Sequence, residues 1–369
     1  MARITFMGDL LCYPVMTEKY GANYGELFKK STKLKNCDYL IANLESPIAG
    51  EEMRYTFERY CFNTPVGFIR AMKGALGVDM LTLANNHCMD RDEEGLVKTL
   101  ENCKNEGFET MGLYASEEDR DELFIKEFDG VKVAFVNYTY GTNAFAHHRF
   151  LKHPYMVNLL QPEETKKGSI HLLESNEEIG ARVEEIYCRK TEEYDFVKPY
   201  LEQLERDIKR AKDVADYVIA IIHCGGQYNL EVDPYTKYVF ERIKEFGVDV
   251  IVGNHPHIIQ ECKNKDGYLT VYSLGNFIDS PAIVGEQEID FRYNAVLHLE
   301  ISKQAGQVCV EKCFSLYKVV ETDTELYAAD TFDLYTETED EKLKEDILYF
   351  VNRFAGENRY DKVQEFYEL

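Results

Sequence analysis

Gly253-Asn254-His255-Pro256-His257 places two histidines two residues apart, just where the apolar run Val248-Asp249-Val250-Ile251-Val252 ends. Imidazole ligates zinc, iron, nickel or copper without losing a proton at neutral pH. In an extended segment residues i and i+2 point to the same side, so both rings are expected to face one pocket, each toward its own metal or both toward one. The chain has only nine histidines in 369 residues, which sets this pair apart from two incidental loop residues. Four more apolar runs end in similar clusters. Ile4-Thr5-Phe6-Met7 leads into Gly8-Asp9, and Tyr39-Leu40-Ile41-Ala42 into Asn43-Leu44-Glu45. Met80-Leu81-Thr82-Leu83 leads into Ala84-Asn85-Asn86-His87, and the run at 217–222 into His223-Cys224-Gly225-Gly226. Ligands in open α/β sheets bind beyond the carboxyl ends of the strands. Five such ends offering Asp, Glu, Asn or His make a joint signal for metal or acid–base chemistry.

The elements that must carry these clusters follow from periodicity. Short, apolar, partly β-branched runs are expected as strands buried on both faces. Helices are expected over Glu26–Leu34, Val66–Ala75 and Asp92–Cys103, the last with Asp92, Glu93 and Glu94 complementing the positive helix end. Leu123–Glu127 and Val131–Tyr138 flank Asp129-Gly130, a hairpin signal. Further helices are expected over Tyr200–Lys212 and Pro234–Phe246, and further strands at Tyr268–Leu274, Asn294–Ile301 and Gln307–Tyr317. Residues 144–195 break the alternation and read as an insertion over the site, with His147 and His148 more expected in solvent than on substrate. This divides the chain into a domain at 1–330 carrying that insertion and an acidic helical extension at 331–369 packed on it, with Leu343, Ile347, Leu348 and Val351 on one stripe.

Composition bounds the function. The net charge of −24 repels phosphate backbones, so general nucleic-acid binding is not expected. An anionic small molecule or polymer then needs bound cations at the site to be held. No run reaches the roughly 18–20 apolar residues of a membrane span. As written the chain shows no signal peptide and is expected in the cytoplasm; an extracytoplasmic location follows if a leader has been removed. The ten cysteines form no CxxC pair and are expected as reduced structural thiols, Cys224 beside His223 included. Oligomeric state is not legible.

The ordered set Gly8-Asp9, Asn43-Leu44-Glu45, Asn85-Asn86-His87, His223 and His255-Pro256-His257, with the late motif Ser273-Leu274-Gly275-Asn276-Phe277, resembles the CapA family, the bacterial capsule-synthesis proteins also called the poly-γ-glutamate synthesis type. That family is similar to calcineurin-like metallophosphoesterases. The resemblance implies an α/β fold with a central β-sandwich flanked by helices on both faces, four layers in all. It implies two divalent transition-metal ions, manganese, iron or zinc, as cofactors. Asp9, Glu45, Asn86, His223, His255 and His257 match the metal ligands, with Glu45 in the place of the bridging carboxylate. His87 matches the histidine that acts on substrate. Asn43, Arg54 and Asn276 are candidate substrate contacts, with Arg59 and Asn63 nearby, and Asn276 is also placed to orient a ligand histidine. Such a site, with ions about 3.5–4 Å apart, supports hydrolysis of phosphate esters. The commonest pattern of the larger group has a histidine two residues after the first aspartate, where this chain has Leu11; Asn43 or water would then complete that site. Gln227-Tyr228 follows the late glycines in place of an acidic or aromatic residue.

The leading expectation is therefore a metal-dependent phosphoesterase-like hydrolase of cell-surface polymer metabolism. The alternative is a non-hydrolytic polymer-binding or assembly protein of capsule or poly-γ-glutamate production. A cysteine or serine hydrolase built on Cys224 or Ser273 is a third class, recognisable by its indifference to chelators.

Overall fold

The computed structural model describes residues 1–56, 61–163, 194–265, 267–285 and 290–369. Residues 164–193, most of the expected insertion, lie outside these, as does Arg59. The strands in chain order are β1 (Ala2–Leu10), β2 (Tyr39–Leu44), β3 (Met80–Thr82), β4 (Glu109–Met111), β5 (Phe124–Phe128), β6 (Val131–Thr139), β7 (Tyr217–His223) and β8 (Val250–Asn254). They continue with β9 (Ile259–Lys265), β10 (Tyr268–Leu274), β11 (Asn276–Ile278), β12 (Tyr293–Gln304), β13 (Gln307–Glu321), β14 (Leu326–Asp330) and β15 (Tyr367–Glu368).

These strands form two sheets. One runs β14-β13-β12-β1-β2-β3-β4, with β11 on β1 and β15 on β13; the other runs β5-β6-β7-β8-β10-β9. Alternation along each strand splits its side chains between two cores. Val133, Phe135, Ile219 and Ile221 face Ile4, Phe6 and Ile41 between the sheets. Ala134, Val136, Val218 and Ala220 face the other way, onto Leu204 and Ile208 of the helix Lys198–Val214 and Val239 and Phe240 of the helix Pro234–Glu245. Across the first sheet, Leu40, Ala42 and Leu81 meet Phe68 and Met72 of the helix Val66–Leu76 and Leu96 of the helix Asp92–Asn105. The result is the expected four-layer sandwich, helices outside and sheets inside.

The sheet direction makes the site. β1, β2, β3 and β4 are parallel to one another. In the second sheet β6, β7, β8 and β10 are likewise parallel. The carboxyl ends of both sets therefore emerge at one rim. At that rim β1 shifts register between Met7 and Asp9. Gly8 permits this: a Cβ there would lie 1.9 Å from the Gly275 carbonyl oxygen, which also accepts from Asp9 N at 3.0 Å.

Three expectations need correction. Glu26–Leu34 is not one helix but two 3-10 turns, Tyr24–Phe28 and Thr32–Lys35. Lys30 bridges to Ala329, and Ser31 Oγ donates to the Ala328 carbonyl at 2.7 Å. Pairing to β14 thus outweighs local helix preference. The C-terminal region is more than an outer helix. Ile347, Phe350, Val351 and Phe354 of the helix Glu341–Ala355 enter the inter-sheet core, with Phe350 stacked on Tyr293 at 4.1 Å, and β15 then adds to the sheet. Five strands, β4, β9, β11, β14 and β15, were not expected from the apolar runs.

On β12, His298 lies between Thr5 Oγ1 at 3.0 Å and Ser315 Oγ at 2.9 Å, covered by the Phe366 ring. Burial pulls its pKa down to about 3, against about 6.5 in an unfolded chain. Between these values the unfolded chain binds a proton that the folded one excludes, so stability falls as pH drops from about 6.5 toward 3. The loss is about 1.4 kcal/mol per pH unit, or about 2 kcal/mol by pH 5. His298→Gln, which can still bond both hydroxyls, is expected to flatten this acid limb. Urea unfolding of both proteins at pH 7 and pH 5 checks it; equal losses would count against His298 as the cause.

Candidate metal centre

Asp9, at the end of β1, is fully buried. Its Oδ1 accepts from Asn43 Nδ2 at 2.6 Å and its Oδ2 from His255 N at 3.1 Å. The loop after β2 supplies Glu45, the turn after β3 supplies Asn86 and His87, and β7 ends on His223. Glu45 Oε1 is 3.5 Å from His223 Nε2 and 3.7 Å from His257 Nε2. His223 Nε2 also lies 2.7 Å from Asn86 Oδ1 and 3.1 Å from His255 Nδ1. His257 Nδ1 sits 3.5 Å from Asp9 Oδ2. All seven residues matched by sequence to the ligands and to the substrate histidine thus share one rim.

The histidine pair converges by a different route from strand alternation. His255 has φ 100° and His257 φ 61°, on either side of Pro256. Left-handed backbone at a non-glycine residue costs on the order of 1–3 kcal/mol and persists where surrounding structure imposes it. Here the turn folds back so that the rings lie 5.5 Å apart. His257 Nδ1 is then fixed by Asn276 Oδ1 at 2.8 Å, and Asn276 Nδ2 donates to Asp279 Oδ2 at 2.6 Å.

Charge is distributed unevenly. Burial pushes Asp9 up, but the His257 hydrogen bond and the charges of His223 and His257 hold it below the ordinary carboxylate value. Burial pulls His257 down, yet Glu45 and Asp9 outweigh it and raise the ring to about 9. His255 lies well below the ordinary imidazole value through burial and its histidine neighbours, which leaves a neutral ring with a lone pair. Burial lifts Asp279 to about 7.

Both oxygens of Glu45 are buried without a hydrogen-bond partner. An unpaired buried carboxylate is costly unless a cation meets it. Glu45 belongs to two groupings of metal-capable atoms, one with His255 and His257, the other with Asp9 and His223, each within 4.8 Å. Carboxylate, amide oxygen and imidazole together suit manganese, iron or zinc. The residues fit divalent cations.

His87 lies beside this cluster with Nδ1 2.7 Å from Asp90 Oδ2 and its ring against Phe62 at 4.6 Å. Burial lowers its pKa, and the Asp90 carboxylate more than restores it, above the ordinary value.

Other candidates land elsewhere. Asn43 is 2% exposed, and bridges Asp9 and His223, the latter at 3.2 Å, from beneath the cluster. Arg54 is exposed, and its link to this region is its carbonyl, which accepts from Arg91. Asn63 staples its own loop, accepting from Ala49 N and donating to the Gly50 and Arg54 carbonyls. Asn276 is buried and orients His257. Leu11, where a histidine is common, points into the apolar core. Gln227 is exposed. Cys224 Sγ meets Thr236 Oγ1 at 3.7 Å, and Ser273 Oγ accepts from Gly275 N. Neither shares a hydrogen bond with a histidine among the described residues. Among the described residues nine cysteines are free.

Sequence reasoning missed Asp90, Asn143, Tyr140 and Asp279. Asn143 Oδ1 accepts from Asn86 Nδ2 at 3.2 Å. Tyr140 packs on His255 at 4.6 Å. The His87-x-x-Asp90 spacing was the one available signal, since a turn brings such residues together.

The arrangement is that of a four-layer α/β sandwich with a candidate metal centre at its rim. Against protein families, the description "bacterial capsule synthesis protein PGA_cap" matches residues 3–281, and the chain belongs to that family. It is similar to the capsule biosynthesis protein CapA of Bacillus anthracis, 25% identical over 283 residues, which cover 74% of this chain and 59% of that protein. It is also similar to the PGA biosynthesis protein CapA of Bacillus subtilis, 22% identical over 74% of this chain and 62% of that one. The matched region thus spans about three-fifths of the length of these relatives. Among solved structures it is similar to the calcineurin-like phosphoesterase YfkN from Bacillus subtilis, with a TM-score of 0.46 and 14% identity over 95% of this chain and 96% of that one. A putative 5'-nucleotidase from Staphylococcus aureus gives a TM-score of 0.45 and 12% identity over 95% and 58%. No helix among the described residues is long and apolar enough to cross a membrane.

Proposed function

We propose that this protein is a metal-dependent phosphoesterase-like hydrolase acting in capsule, poly-γ-glutamate or other cell-surface polymer production. The observation that carries the reading is Glu45, buried with two unpaired oxygens at the junction of two donor groupings. Asp9, Glu45, Asn86, His223, His255 and His257 would hold two divalent transition-metal ions. When bound, such ions supply Lewis acidity toward phosphoryl oxygens and make water nucleophilic at neutral pH. Asn43 orients Asp9, and Asn276 presents His257 with its Nε2 toward Glu45. His87 donates Nδ1–H to Asp90, so the proton it can pass to a leaving oxygen is the one on Nε2. A protein surface of net charge −24 leaves the bound cations as the attraction for an anionic substrate.

Purified protein stripped with chelator and reloaded with manganese is expected to hold close to two equivalents and to cleave a generic phosphodiester or phosphomonoester. Hydrolysis by the metal-free protein would overturn the reading. Metal-dependent binding of polyglutamate or a glycan without turnover would replace it with the assembly role.

A further inference from the structure

We propose that Cys61, Asp90 and His147 form a separate mononuclear site for a zinc-class divalent cation. The proposal does not depend on the phosphoesterase reading. One donor atom from each residue, a sulfur, a carboxylate oxygen and an imidazole nitrogen, lies within 4.8 Å of the other two. Cys61 is 6% exposed and Asp90 fully buried.

Asp90 provides the independent observation. Its Oδ2 is taken by His87 Nδ1 at 2.7 Å and by Phe62 N at 2.6 Å. Its Oδ1 is buried without a hydrogen-bond partner, with His147 Nε2 3.5 Å away. A carboxylate with one oxygen engaged on each of two backbone and ring donors and the other bare is shaped to receive something further. A cation between sulfur, Oδ1 and imidazole supplies it.

The sulfur lies among polar groups. Arg91 Nη1 donates to Cys61 Sγ at 2.8 Å and Arg149 Nη1 at 3.3 Å. Cys61 Sγ also donates to the Asp90 carbonyl at 3.4 Å, so a metal that binds the sulfur as thiolate displaces that proton. These contacts also set the class of cation. Guanidiniums beside the sulfur oppose a cation held by charge alone, as a hard ion would be. Retention must then come from the bonds to sulfur and nitrogen, which suits zinc or cobalt and disfavours magnesium and calcium. Three protein donors leave one tetrahedral position open. Because Asp90 also holds His87, a cation here acts on the rim as a positioning device, fixing the carboxylate that fixes the ring.

The rim cluster described above has no sulfur donor, so sulfur coordination reports on this site alone. Chelator-stripped protein titrated with cobalt is expected to develop a thiolate-to-cobalt charge-transfer band in the near ultraviolet that saturates at one equivalent. The band is expected to vanish in Cys61→Ser and to survive in Glu45→Gln, where the rim cluster is disabled. His147→Ala, at a partly exposed side chain, is expected to weaken cobalt binding about tenfold or more. Should Cys61→Ser fail to fold, the band in the wild-type protein and its weakening in His147→Ala decide the matter. A cobalt-saturated wild-type protein without that band, or a band that persists in folded Cys61→Ser, overturns the proposal.

Discussion

Glu45→Gln is expected to abolish the binding of both rim ions, whereas Asp9→Asn or His255→Ala is expected to leave about one. The difference follows from sharing. Glu45 is the residue common to both groupings of donor atoms, while Asp9 and His255 each belong to one. A ligand that binds only the folded state stabilises it by about 2.7 kcal/mol at a hundredfold excess over its dissociation constant. Wild-type protein should therefore melt at a distinctly higher temperature with manganese than with chelator, and Glu45→Gln should melt at the same temperature in both. The carboxylate has no hydrogen bond to lose, so a missing metal response in a variant whose melting in chelator matches wild type is not a folding defect. Elemental analysis alongside calorimetry reads both quantities. Retention of two ions by Glu45→Gln would remove this residue from the centre.

The second large effect concerns His87. His87→Gln is expected to lower phosphate-ester hydrolysis by about 10²–10⁴-fold, the usual contribution of a positioned proton donor. Rim metal content should not change, because His87 makes its bond to Asp90 and not to the ligand set. Loss of activity together with loss of both ions would instead make His87 part of the metal scaffold. Undiminished hydrolysis would make it structural.

The strand ends carrying Asp9, Glu45, Asn86, His223 and the histidine pair could be read from the chain because each follows an apolar run, and parallel strands bring their ends to one rim. The reason given for the histidine pair did not survive. Alternation along a strand would have sufficed, but the rings meet through a strained turn whose dihedrals no residue pattern announces. Tyr140 and Asn143 escaped because β6 reads as half of a local hairpin; only its parallel pairing with β7 carries its end to the site. Asn43 looked like a free polar residue at a strand end, yet it is sealed beneath Asp9. Edge strands such as β9, Ile259–Lys265, carry Glu261, Lys263 and Lys265, and so lack the apolar signature by which strands are recognised.

The helix Glu341–Ala355 has a consequence for how the protein is made. Tyr293 and Phe314 are covered by Phe350 and Phe354, residues synthesised near the end of the described chain. Chains emerge from the ribosome amino end first. The sandwich therefore cannot seal until residues 341–355 have been made, and a greasy slot between its sheets stays open until then.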